Sequence, residues 1–218
     1  MVAVIRIVAV SGYKNSGKST LCRRLLEELR ILGIRTGYIK RTSEQAVASS
    51  GSTDTGSVLD MGFNSILWGD DGIRLESKSE VSSLQEIASR YFPDSELLIL
   101  EGGKELAVPK IWVRSGKEDI PKYPGIFMVY DRTGSSDGKM LFGAGAEPEM
   151  AKKLSSLVRG SAYRSARIYI GDRPLPMKDF ISDFVRGGIL GMLASLKGGK
   201  SLSEPVRIYL DASEKNDN

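Results

Sequence analysis

The sequence predicts an α/β protein whose mostly parallel sheet lies between helical layers, and three observations carry that expectation. An apolar run at 2–10 leads straight into Gly12-Tyr13-Lys14-Asn15-Ser16-Gly17-Lys18-Ser19, which reads G-x-x-x-x-G-K-S. Such a turn joins a buried strand to a helix and wraps backbone N–H groups around a polyphosphate, so the expected fold is a three-layer P-loop one. Helical periodicity begins at once after the turn and a second strand-like run follows it, a unit that requires parallel strands. Finally, Leu97-Leu98-Ile99-Leu100 is apolar at every position, as a strand buried on both faces is.

The elements follow in order. A helix is expected at 18–32, because Leu21, Leu25, Leu29 and Leu32 recur at helical spacing with Cys22 and Leu26 beside them, and Gly33 closes it. Residues 36–40 form the second strand. The stretch 42–57 is rich in Ser, Thr and Gly and reads as a solvated loop or as a mobile segment that orders on a ligand. Two short strands at 64–68 and 73–76 flank Gly69-Asp70-Asp71-Gly72, a hairpin turn signal, so a β-hairpin is inserted in the α/β fold. A helix is expected at 81–91, with Ser83 and Glu86 at capping-box spacing. Strands are expected at 97–100, 110–114 and 125–130, then a short helix at 148–158. The domain so defined spans 1–160. A small α+β extension at 161–212 holds a strand at 167–170, a turn at Gly171-Asp172, a helix at 180–196 and a strand at 206–210. Residues 213–218 are polar and expected to be a disordered tail. Gly187, Gly188 and Gly191 lie inside the extension's helix, where each costs about 0.5–1 kcal/mol against alanine. Their presence suggests close packing or a break.

Composition narrows the function. With 41% hydrophobic and 27% charged residues, the profile is that of a soluble globular protein. No apolar run is long enough to span a bilayer, and Arg6 interrupts the first one, which reads as a strand rather than a signal peptide. Cys22 is the one cysteine, so a disulfide framework is excluded and a cytoplasmic location is expected. The net charge of +4 suits an anionic partner such as a nucleotide, but the cations are dispersed among acids, which argues against nucleic acid. Histidine is absent, which removes the commonest general base and metal ligand and argues against a zinc site or a Ser-His-Asp mechanism.

The candidate site is built on the glycine-rich turn. Gly12, Lys14, Asn15, Ser16 and Gly17 form the phosphate cradle, Lys18 reaches the β- and γ-phosphates, and the Ser19 hydroxyl sits on Mg²⁺. A bound phosphate–Mg²⁺ pair calls for a carboxylate at a neighbouring strand end. Glu101 matches that Walker-B-like place. Asp54 is a second candidate, able to approach the metal or the attacking water if its loop folds over. Lys40 and Arg41 stand at a strand end, where ligands bind in open α/β sheets. Lys104 and Lys110 either meet substrate phosphate or are simply solvated. Asp131, ending a strand, could pair with a guanine edge. Residues 115–119 contain a K-x-D without the asparagine of the guanine-reading N-K-x-D motif and read as a charged turn.

The order of the strand and P-loop Val8 to Thr20, Tyr38-Ile39-Lys40, Asp54-Thr55-Gly56-Ser57, Ile99-Leu100-Glu101-Gly102-Gly103-Lys104 and Pro109-Lys110-Ile111 resembles the molybdopterin-guanine dinucleotide biosynthesis protein B (MobB) family. The resemblance covers roughly residues 1–130. It implies a cytoplasmic homodimer that binds GTP, hydrolyses it weakly, and assists the guanylyltransferase that attaches GMP to molybdopterin. It implies that Gly12, Gly17, Lys18, Ser19 and Thr20 contact phosphate and Mg²⁺, that Glu101 is the Walker-B-like carboxylate, and that the Asp54 loop lies near the substrate. The chain departs from the family at Arg41 and Thr42, where members usually carry histidines. The expected function is therefore a GTP-binding accessory protein of molybdenum or tungsten cofactor maturation, with ATP not excluded. A P-loop small-molecule kinase, with Asp54 or Glu101 taking the substrate proton, and a nucleotide-gated adaptor without required hydrolysis are the alternatives.

Overall fold

The computed structural model describes residues 5–42, 48–78, 83–116, 119–134, 136–137, 139–158, 166–171, 173–196 and 205–210. Strand β1, Arg6–Gly12, enters the glycine-rich loop and helix α1, Lys18–Ile31, leaves it. Helix α1 buries the predicted stripe of Leu21, Leu25 and Leu29 together with Cys22, and the chain turns out of it at Gly33 with φ 72°, a conformation open to glycine. Strand β2 is Thr36–Lys40 and helix α2 is Asp54–Asp60. Part of the stretch expected as a loop is thus helical, because the Thr53 side chain accepts from the Gly56 N–H and caps the first turn. Residues 43–47 lie outside the described residues.

Strands β3, Ser65–Gly69, and β4, Gly72–Glu76, make the expected hairpin, closed by Asp70 and Asp71. Helix α3, Leu84–Tyr91, starts at the Ser83 cap, whose hydroxyl accepts from the Glu86 N–H; Val81 lies outside the described residues. Strands β5, Leu97–Glu101, β6, Lys110–Arg114, and β7, Ile126–Asp131, fall where the apolar runs put them. Strand β8, Leu141–Gly143, was not expected: three residues carry no periodicity to read. Helix α4 is Glu147–Val158, and strands β9, Tyr169–Ile170, and β10, Arg173–Pro174, precede helix α5, Asp179–Ala194.

Six strands form one sheet in the order β2-β5-β1-β6-β7-β8, and every neighbouring pair is parallel. Alternate residues of β1 and β5 serve opposite faces. Val8, Val10, Leu97 and Ile99 pack with α1 and α4, whereas Ile7, Ala9, Leu98 and Leu100 pack with Ala88 of α3. Burial on both faces is why these strands lack polar alternation. The chain passes from β1 through α1 to β2 on one side and from β5 across β1 to β6 on the other. The C-terminal ends of β1 and β5 therefore flank a switch in strand order, where open α/β sheets bind ligands.

A buried carboxylate ties the helical layer together. Glu147 of α4 accepts from Arg24 Nη1 of α1 at 2.7 Å and from the Tyr130 hydroxyl of β7 at 2.8 Å. Burial pushes the Tyr130 hydroxyl up to about 12, reinforced by the adjacent Glu147 charge, so it remains a donor at neutral pH. Glu147→Ala is expected to leave that hydroxyl buried and unpaired, at a cost of about 1–3 kcal/mol. The check is a lower urea-denaturation midpoint with an unchanged m-value.

The C-terminal elements depart from expectation. Of 167–170 only Tyr169–Ile170 pairs, with β10; Gly171 turns at φ 58°, and Asp172 lies outside the described residues. Residues 205–210 form no strand and are exposed, because no sheet edge pairs with them. Helix α5 runs unbroken through Gly187, Gly188 and Gly191, and a Cβ at any of them would meet nothing within 4 Å. These glycines neither pack closely nor break the helix. Phe180 and Phe184 on it are largely exposed. The extension is moored to the core by Arg167, whose Nη1 donates to the carbonyls of Pro93 and Ser95, and by an Arg207–Asp94 ion pair. Residues 159–165 and 211–218 lie outside the described residues.

Candidate functional site

The turn after β1 combines two backbone conformations that suit glycine and asparagine. Asn15 has φ 62° and Gly17 φ 99°. A Cβ on Gly12 would stand 2.4 Å from the Val113 carbonyl oxygen of the neighbouring strand and 2.7 Å from Ser16 Oγ. The spacing of the two glycines is therefore dictated by close approach at one end and a left-handed turn at the other. Helix α1 starts after Gly17 with no side-chain cap and no acid in its first turn. Its leading N–H groups and positive end are thus left to an anion. Ser16 is buried, and its hydroxyl has no hydrogen-bond partner among the described residues. Lys14 and Thr20 are exposed on the loop and on the first helical turn.

Two strands bring charge to this turn. The β2–β5 register sets Lys40 beside Glu101, and the β1–β5 register sets Val10 beside the same residue. Glu101 is only 5% exposed. Its Oε1 accepts from Ser19 Oγ at 2.7 Å and its Oε2 from the Tyr38 hydroxyl at 2.6 Å, while Lys40 Nζ lies 3.8 Å from Oε1. Burial pushes the Glu101 carboxyl up, but the hydrogen bonds from Tyr38 and Ser19 and the Lys40 and Lys18 charges outweigh it, so it is held below the usual glutamate value. Lys18 Nζ donates back to the Tyr13 carbonyl. Burial lowers the Lys18 ammonium, with Lys40 and Lys104 adding repulsion and Glu101 opposing them. Lys18 and Lys40 thus stand around one carboxylate, with Lys104 close enough to repel Lys18, an excess of positive charge suited to a polyanion.

These residues fit a Mg²⁺-bound polyphosphate. A hydroxyl and an ionised carboxylate are hard oxygen ligands already paired, Ser16 Oγ lies buried without a partner, and the glycine positions leave room for close backbone approach. Among the described residues no group of three or more acidic or thiol side chains gathers elsewhere to hold a metal. Ser19 and Glu101 would hold Mg²⁺ together with phosphate and water oxygens.

Other sequence candidates stand differently. Asp54 opens α2, exposed, and no hydrogen bond or ion pair links it to Ser19 or Glu101; α2 packs on β3. Lys110 is no phosphate contact. It is fully buried, and its Nζ donates to the carbonyls of Leu106 and Pro124. Asp131 sits at the end of β7 with both oxygens engaged: Oδ1 accepts from the Thr133 N–H and hydroxyl and from the Gly116 N–H, and Oδ2 from Arg114 Nε at 3.0 Å. It braces its own loop instead of offering a free edge to guanine. Arg41 is ion-paired with Glu105, and Cys22 is a core residue whose thiol burial pushes up to about 12. Lys117 and Glu118 of the K-x-D stretch lie outside the described residues. Tyr38 was missed as a site residue. Its alternation with Lys40 along β2 was the available signal, since residues two apart share a face.

Comparison with known proteins agrees with this fold. A family model described as molybdopterin guanine dinucleotide synthesis protein B matches residues 7–124. A Methanocaldococcus jannaschii protein, named provisionally as a molybdopterin-guanine dinucleotide biosynthesis adapter, is 22% identical over 96% of this chain and 99% of its own length. The Haemophilus influenzae molybdopterin-guanine dinucleotide biosynthesis adapter protein is 28% identical over 49% of this chain and 62% of its own. A crystal structure of molybdopterin-guanine biosynthesis protein B superposes with a TM-score of 0.55 at 24% identity, covering 69% of this chain and 99% of that one. Bacillus subtilis MobB gives 0.53 at 23%, covering 72% of this chain and 100% of that one. At these identities the structural likeness establishes the fold.

Proposed function

The chain belongs to the molybdopterin guanine dinucleotide synthesis protein B family, and on that premise we propose that it is an adapter in molybdopterin-guanine dinucleotide biosynthesis that binds GTP with Mg²⁺ and hydrolyses it slowly. The observation that carries the reading is the Ser19–Glu101 hydrogen bond at the mouth of an uncapped, glycine-bounded helix start. In this reading the loop amides and Lys18 hold the β- and γ-phosphates, and Ser19 and Glu101 hold Mg²⁺. A Mg²⁺ ion held there would supply charge neutralisation to the phosphates.

Slow hydrolysis is the kinetic counterpart of the same geometry. The Glu101 carboxylate is engaged by two hydroxyls and held at a low pKa, which makes it a good ligand and a poor base. Asp54 reaches the reacting end only if α2 moves. The chain contains no histidine to take the attacking water's proton. Catalysis is then positioning and charge neutralisation alone. The reading includes molybdopterin or its guanylyltransferase as partner and a homodimer. The hairpin supports an interaction role, because Ile66, Leu67, Trp68, Ile73 and Leu75 all stand exposed on it. Among the described residues no helix is long and apolar enough to cross a membrane.

The test is a calorimetric titration of GTP and of ATP, each with and without Mg²⁺, followed by phosphate release under single turnover. Tighter binding of GTP than ATP, strengthened by Mg²⁺, with slow release is the expected result. Failure of both nucleotides to bind would sink the proposal.

A further inference from the structure

The strand order fixes which way a nucleotide lies in this turn, given the phosphate reading above on which this inference rests. Glu101 and Lys40 come from β5 and β2, on one side of β1, and Glu101 meets Ser19 there. Phosphates neutralised by a metal held at Ser19 and Glu101 would therefore lie on that side. The nucleoside would then leave toward the other side, over β6 and β7.

Arg132 stands on that side. Arg132 follows the last residue of β7 and reaches back to the turn. Its Nη1 donates to the Asn15 carbonyl at 3.3 Å, and its Cδ, Nε and Cζ lie 2.7, 3.1 and 3.5 Å from where a Cβ on Gly17 would stand. The missing side chain of Gly17 thus makes room for the arginine. The loop that carries Arg132 is fixed from below. Asp131 holds Thr133, Gly116 and Arg114, and the Arg132 N–H donates to the Arg114 carbonyl at 3.2 Å. One edge of the guanidinium is tethered to the turn while the side chain remains exposed. A planar cation held by one edge presents a face, and guanidinium faces stack on aromatic rings.

We propose that Arg132 is the platform on which the purine ring of the bound nucleotide stacks. Stacking accepts either purine, so Arg132 supplies affinity for the base and not the choice between guanine and adenine. The engaged Asp131 acts through it, as the positioning residue of the platform.

The experiment compares GTP with inorganic tripolyphosphate, both with Mg²⁺, by calorimetry on the full chain and on Arg132→Ala and Arg132→Lys. The platform predicts that Arg132→Ala weakens GTP by about five- to a hundredfold, the range of a lost base stack, and leaves tripolyphosphate unchanged. Arg132→Lys keeps a charge but loses the plane, and is expected to behave as the alanine variant. Unchanged tripolyphosphate binding also reports that the turn is intact. Equal losses for both ligands, full rescue by lysine, or no loss of GTP affinity would each overturn the platform. Wild-type protein that binds neither ligand would overturn the phosphate site itself, and the platform with it.

Discussion

Lys18→Ala is expected to lower GTP affinity by about a hundredfold to ten-thousandfold while leaving the protein as stable as before or slightly more so. The first half follows from the number of bonds lost. An ammonium that bridges two phosphates makes two charge-assisted hydrogen bonds, each contributing about 1.5–3 kcal/mol. The second half follows from its surroundings. Burial disfavours the charged ammonium, Lys40 and Lys104 repel it, and only Glu101 compensates among the charged side chains. A lysine whose folded pKa lies below its unfolded one reduces stability at pH values under the folded pKa, because the unfolded chain holds the proton more tightly. Removing it removes that cost, a common pattern where function has placed a strained charge. Calorimetry with GTP and Mg²⁺ measures the first effect, and thermal denaturation without ligand measures the second. A variant that loses binding and also melts far below the parent would show that Lys18 is needed for folding, and the argument from burial would fail.

The parts of this molecule that the sequence makes legible are those decided locally. Gly12 and Gly17 announce the turn because close approach and a left-handed φ each exclude a side chain. Leu21, Leu25 and Leu29 announce α1, and four consecutive apolar residues announce β5, since burial on one stripe or on two faces writes itself directly into residue type. The place of Glu101 was legible because it ends such a strand. What stays hidden is decided by partners distant in sequence. Tyr38 becomes a site residue only because β2 lies beside β5 in a register that directs its hydroxyl to Glu101. Arg132 reaches the turn only because β7 ends two strands away from it. Lys110 misleads for the same reason: a lysine at a strand start reads as solvated until the loops bearing Leu106 and Pro124 close over it. Helix α5 misleads in the opposite sense. Phe180, Phe184 and Leu196 recur at helical spacing and read as a buried face, yet all three stand exposed.

Glu101→Gln is expected to erase the Mg²⁺ dependence of GTP binding and to remove a component of acid sensitivity, with the fold retained. The amide is nearly isosteric, and its oxygen can still accept from Ser19 or Tyr38, so packing changes little. Charge is what disappears. Without it Ser19 keeps a hydroxyl but loses the anionic partner that a hard divalent cation requires, and GTP should bind about equally with Mg²⁺ or with a chelator. The stability prediction has a definite sign. The folded carboxyl is held below the ordinary glutamate value of 4.5. Its contribution is therefore complete above that value and is lost as pH falls through the lower, folded pKa. Urea midpoints of the parent and the variant measured from pH 6 downward should draw together as the acid end is reached, because below both values neither chain carries the charge. The same variant separates an enzyme from an adaptor. If cofactor maturation in cells depends on turnover, Glu101→Gln abolishes it. If nucleotide occupancy alone positions the partner, maturation persists wherever GTP is high enough to fill the site without Mg²⁺. A variant with undiminished Mg²⁺ dependence would place the metal on other residues and remove Glu101 from the site.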